Sequence, residues 1–148
     1  MKLLILLSVL VTFVTCIDQD FLDKANERMS QNVQECAETT GATKDDMMEL
    51  MEIKIPSRKE AKCLLACYHK KYGIQDKDGK LDKSASIQAM KDLKVADPDL
   101  YEKAVKLFDT CTEQVPNQEC ECETAAIFMY CFNIYGQMMG LKPGMVPM

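Results

Sequence analysis

Apolar residues along this chain recur at helical intervals, interrupted by short polar breaks. From Phe21 to Glu38 the positions Phe21, Leu22, Ala25, Met29, Val33, Cys36 and Ala37 are spaced three and four apart, the period of an amphipathic helix, and Gly41 stops it. Thr43 with Asp46 forms a capping-box pattern that opens a short helix through Met47, Met48, Leu50 and Met51, which Pro56 breaks. A second such pattern, Ser57 with Glu60, opens a helix through Cys63, Leu64, Cys67 and Tyr68. It closes on the cationic turn His69, Lys70, Lys71 before Gly73, a helix end in which His69 reads as a solvated cation. Asp82 to Lys94 carries a weaker helical pattern. Asp97 followed by Pro98 is an N-cap with proline at the first helical position, and it starts a helix through Leu100, Ala104, Leu107 and Cys111 to Pro116. The last helix runs from Glu121 to about Tyr135 and is apolar nearly all round, as expected of a helix at the centre of a structure. The pattern predicts an all-α fold of six helices with no strand.

The first residues change the context of everything after them. Met1–Cys16 offers one lysine, an apolar run, and Val14 and Cys16 where a signal peptidase requires small side chains; residues 1–16 read as a secretory signal cleaved before Ile17. A membrane anchor needs roughly 20 apolar residues, and Asp18 and Asp20 arrive too early for one. No later segment is apolar for long enough either, so stable membrane insertion is not expected. The remaining residues 17–148 form one domain in length and composition, with 136–148 an irregular tail. In an oxidising compartment its cysteines pair.

Composition then narrows the chemistry. With 18 basic against 23 acidic residues the chain carries a net charge of -5, and no basic run is long enough to follow a phosphate backbone, so nucleic acid is not an expected partner. Asp76 to Asp82 (DKDGKLD) invites a calcium reading, yet counting from Asp76 puts Gly79 fourth and Ile87 twelfth, where an EF-hand needs Gly sixth and Glu twelfth. A polar turn leading to an N-cap at Asp82 is the plainer account. Cys63, Cys67 and His69 are zinc-type ligands, but oxidised cysteines do not bind metal, and neither metal nor cofactor is expected. Cys67-Tyr68-His69-Lys70 is faintly similar to the catalytic helix of secreted phospholipases A2. No aspartate follows that histidine, no Gly-rich calcium loop precedes it, and the single histidine leaves no second base, so an enzyme is not expected.

The cysteine spacings carry the most information. Cys63 and Cys67 share one helix face with Cβ atoms about 5–6 Å apart, whereas a disulfide wants about 3.5–4.5 Å. Each must reach a different neighbouring element. Cys122 and Cys131, nine apart, point to opposite sides of the last helix at about 100° per residue, so that helix can be tied to two partners.

The order Cys36, Cys63-x3-Cys67, Cys111, Cys122-x8-Cys131, together with Lys71-Tyr72-Gly73 leading into DKDGKLD, resembles the insect odorant-binding protein family, the pheromone-binding and general odorant-binding proteins. The resemblance covers essentially the whole chain after the signal. It implies a compact six-helix domain around an apolar cavity, with bridges Cys36–Cys67, Cys63–Cys122 and Cys111–Cys131. By the chain-entropy model each would contribute about 3–4 kcal/mol, offsetting volume given to a cavity. Cys120 departs from the pattern: it leaves an odd thiol that is free, bonded between molecules, or paired in place of Cys122, and the x8 spacing favours Cys122 as the bridging residue.

On that resemblance the chain is a secreted carrier of small hydrophobic ligands, odorants or pheromones, bringing them through aqueous fluid to an odorant receptor, as a monomer or weak homodimer. The alternative is a carrier or scavenger of the same family in a non-olfactory secretion. Any single Met or Phe at helical spacing is as readily ordinary core, so the cavity lining is read collectively. Val105 and Phe108 form one face beside Cys111; Ala125, Phe128, Phe132 and Tyr135 form a stripe beside Cys131; Leu65 lies opposite the sulfurs of its helix; and Leu50, Met51 and Met90 complete the set, with the Tyr135 hydroxyl offering a hydrogen bond. The tail from Gly136 to Met148 keeps Met138, Met139, Leu141, Met145 and Val146 among its glycines and prolines, and is expected to fold back as a lid whose release follows acidification.

Overall fold

A computed structural model describes residues 19–52 and 54–142 of the chain, with the side chains of Phe21 and Leu22 outside that description. The signal segment 1–16 and the end of the tail, 143–148, lie outside the described residues. Seven helices follow one another: α1 Gln19–Thr40, α2 Lys44–Glu49, α3 Lys59–Lys71, α4 Lys83–Ala89, α5 Lys91–Ala96, α6 Pro98–Gln114 and α7 Glu121–Met138. A single antiparallel bridge, Gln75 to Leu81, is the extended pairing among the described residues.

The seventh helix comes from a break at Met90, where one continuous element over 82–94 was expected. Met90 caps α4 and opens α5 with φ -88° and ψ 9°. That bend lets Met90 and Leu93, both nearly inaccessible, enter the same core as Ile74 and Leu100.

Caps set most of the boundaries. Thr43 and Asp46 make the reciprocal capping box. Asp82 accepts from the Ala85 N–H and Asp97 from the Leu100 N–H, both at 2.9 Å. The expected box of Ser57 with Glu60 is absent: α3 starts one residue later, with Arg58 in the capping position, because Ser57 donates both its N–H and its hydroxyl to Glu49 at 3.1 Å. α3 ends in a Schellman motif on Gly73 (φ +69°), with the Ile74 N–H donating to the His69 carbonyl and the Gly73 N–H to that of Lys70. α7 closes in the same way on Gly140, the Leu141 N–H reaching the Gly136 carbonyl at 2.9 Å. Residues 136–138, expected to be irregular, are therefore helical, and the buried Leu141 packs on the core as the apolar contact of that motif.

α3 and α7 pack on each other at the centre; α1 covers α3, α6 covers α7, and α4 and α5 lie against α6. Disulfides tie Cys36 to Cys67 (α1 to α3), Cys63 to Cys122 (α3 to α7) and Cys111 to Cys131 (α6 to α7). Both central helices are thus stapled to two neighbours. Cys120, exposed at the N-cap of α7, is free. Lys62 with Glu123 and Lys70 with Glu121 add ion pairs across the same α3–α7 seam. Beside them, the 75–81 turn docks on the start of α7, where Gln75 Nε2 donates to the carbonyls of Gly79 (2.7 Å) and Glu121 (3.0 Å). A Cβ on Gly79 would stand 2.3 Å from Glu121 Cβ, so the DKDG turn serves close backbone approach. No helix among the described residues is long and apolar enough to cross a membrane.

Candidate functional site

A cavity of about 750 Å³ lies between the first half of α1, the turn after α3, the α4–α5 pair and α6. Its apolar wall comes from Ile74, Ala85, Met90, Leu93 and Phe108, with Ala25 of α1 opposite. Ala85 and Ala89 of α4 and Leu93 of α5, spaced four apart, border the cavity together on either side of the bend at Met90. Lys24 and Arg28 of α1, Lys71 at the end of α3, and Lys91 and Asp92 of α5 supply its charged groups. A second hollow, of about 380 Å³, lies over α2 among Asp45, Asp46, Glu49, Glu52, Lys54 and Arg58, and its charge suits it poorly to an apolar molecule.

Of the residues expected to line a cavity, Met90 and Phe108 do. Phe128 and Phe132 stand behind that wall in the main core, their ring centroids 5.6 and 5.1 Å from that of Phe108. Val105 and Tyr135 are half-buried against the same core. Leu65 and Ala125 fill the α3–α7 seam, where two helices approach too closely to leave space. Leu50 is half-buried beside α3, and Met51, just beyond the end of α2, is 79% exposed and lines neither hollow.

Polar groups around the cavity differ from expectation as well. Tyr72, rather than Tyr135, is the tyrosine in the wall; its hydroxyl is buried near that of Tyr68 and makes no well-aligned hydrogen bond. Burial raises the Tyr68 phenol, and Tyr72 reinforces the shift. Ser86 is spent internally, donating to the Asp82 carbonyl at 2.7 Å. His69 is not a solvated helix-end cation. It is fully buried, edge-on to Phe128 at 5.6 Å, and burial pushes its pKa down to about 4, with Gln75 nearby opposing the shift. Neither imidazole nitrogen, nor Gln75 Oε1, makes a well-aligned hydrogen bond. The ring faces inward because the α3 side that meets α7 includes position 69, so Lys70 and Lys71 take the solvent positions. Among the described residues no group of three or more His, Cys, Asp or Glu is placed to hold a metal.

The sequence carried partial signals for the missed residues. Ala85 and Ala89 are four apart, as are Lys24 and Arg28, so each pair shares a helix face. That the two faces border one space is a tertiary fact.

Comparison with known proteins is consistent across sequence and structure. The model of the PBP/GOBP family matches residues 18–134. General odorant-binding protein 19d of Drosophila melanogaster is 38% identical over 104 residues, covering 70% of this chain and 67% of that protein. General odorant-binding protein 28a of the same fly is 32% identical over 119 residues, covering 80% and 82%. The solved structure of the odorant-binding protein dmelOBP28a from Drosophila melanogaster superposes with a TM-score of 0.68 at 30% identity, covering 81% of this chain and 98% of that one.

Proposed function

Because the chain belongs to the PBP/GOBP family of odorant-binding carriers, we propose that it is a secreted carrier that takes up a small hydrophobic ligand in the α1–α4–α5–α6 cavity and brings it through aqueous fluid to a receptor. The observation that carries this reading is the cavity of about 750 Å³ with its wall of Ile74, Ala85, Met90, Leu93 and Phe108. That volume lies inside the range of about 300–1,000 Å³ usual for small-molecule sites. Three disulfides hold the helices around a space that contributes no packing energy of its own.

Ligand enters by desolvating apolar surface against this wall, at about 25 cal/mol per Å² removed from water. Met90 gives the wall an unbranched, polarisable side chain that adapts to ligands of different outline. The test uses the oxidised protein and the fluorescent probe N-phenyl-1-naphthylamine. Wild type should bind it and release it to medium and long apolar competitors. Ala89→Trp places an indole in the cavity from an exposed helical position, and should abolish probe binding while leaving helicity and melting temperature unchanged. Full probe binding by that variant would refute the site.

A further inference from the structure

The charge around this cavity runs against the charge of the protein. The chain as a whole is acidic, at -5, yet four cations and one carboxylate, Asp92, border the opening. Of the four, Lys71 is engaged by Glu35. Lys24, Arg28 and Lys91 have no ion-pair partner among the described residues, whereas Lys62, Lys70 and Lys83 are paired across helices. Asp23 and Glu27 lie on the adjoining stripe of α1, where they accept from Gln19 and Gln31. Lys24 and Arg28 share the stripe with Ala25 that borders the cavity, and Lys91 faces them from the start of α5. An apolar wall leading to an unpaired cationic mouth matches a molecule with an apolar chain and a negative head.

We propose that the ligand of this cavity is a single-chain amphipath with an anionic head, a long-chain carboxylate, its chain on Ile74, Met90, Leu93 and Phe108 and its head among Lys24, Arg28 and Lys91. This rests on the carrier reading above and adds to it the class of ligand. A carboxylate at the mouth gains from three cations at once, and Arg28 can meet it with two parallel N–H donors. Each such exposed pair is worth a few tenths of a kcal/mol. Together they should give a preference of about tenfold over a neutral head, decreasing as salt is added.

The experiment compares three competitors of equal chain length, dodecanoate, dodecanol and dodecylamine, each displacing N-phenyl-1-naphthylamine from the oxidised full chain after signal removal. Dodecanoate should displace at about one tenth of the concentration required for dodecanol, with dodecylamine weakest. The triple variant Lys24→Glu, Arg28→Glu, Lys91→Glu should bring dodecanoate level with or below dodecanol, the ratio of the two being read within each protein. All three side chains are exposed, so the melting curve should be preserved; Lys24→Gln, Arg28→Gln, Lys91→Gln is the milder second variant and should give an intermediate result. Equal displacement by dodecanoate and dodecanol in wild type, or a preference that survives both variants, overturns the anionic-head assignment and leaves the carrier reading standing. Failure of all three competitors and of the probe itself overturns both.

Discussion

A chain with one histidine lets the consequence of burying it be measured without ambiguity. His69 is fully buried and edge-on to Phe128, and its pKa is pushed down from an ordinary 6.5 to about 4 by burial. The native protein therefore holds a neutral imidazole, whereas the unfolded chain takes up a proton as pH falls below 6.5. Stability is complete above that value, falls as pH drops toward about 4, and levels off below it as far as this residue is concerned. At about 1.4 kcal/mol per tenfold the full interval costs about 3 kcal/mol, of which about 2 kcal/mol is lost by pH 5. The carboxylates held below their ordinary range, Asp46 and Asp82 by backbone N–H donors and Glu49 by the Ser57 N–H, lose their contributions at lower pH, so the window between 6.5 and 5 belongs to His69. Guanidinium titrations of the oxidised protein across that window should show this fall for wild type and a flat line for His69→Gln, which keeps polarity but does not titrate. The imidazole proton resonance should stay at its neutral position down to pH 5. A native resonance that titrates near 6.5, or equal slopes for the two proteins, would refute the argument.

Phe132→Ala removes a ring that is 6% exposed and packed on Phe108 and Phe128, so stability should fall by about 3–5 kcal/mol in chemical denaturation with little change in probe affinity among folded molecules; the reverse pattern would place the ring in the cavity. Gly79→Ala combines φ +78° with a Cβ 2.3 Å from Glu121 Cβ, and should lose about 2 kcal/mol, seen as a lowered melting temperature, whereas a neutral outcome would mean the 75–81 turn does not dock on α7. Cys120→Ser should leave helicity and the three bridges intact, because that thiol is exposed and free; peptide mapping of wild type that yields a Cys63–Cys120 link would overturn the bridge assignment.

The sequence by itself determined the elements and their punctuation. Three- and four-residue periodicity located the helices, and Thr43, Asp82, Asp97 and Gly73 act as the chain suggests, because caps and Schellman turns depend on residues only a few positions away. The cysteine spacings were legible for a related reason: four residues along a helix face forbid a bond between Cys63 and Cys67, and the family resemblance supplied the three pairings found. Only the tertiary structure decided which apolar residues face a space and which face one another. Periodicity gives a helix its buried side, but Phe108 and Phe132 are both buried, and what lies beyond each is set by the neighbouring helix. The break at Met90 was likewise not legible from the periodicity, which runs on through it; Met90 and Leu93 both lie in a core assembled from distant segments. His69 shows the limit most plainly: beside Lys70 and Lys71 it reads as a surface cation, and the packing of α3 on α7 removes it from water and from charge.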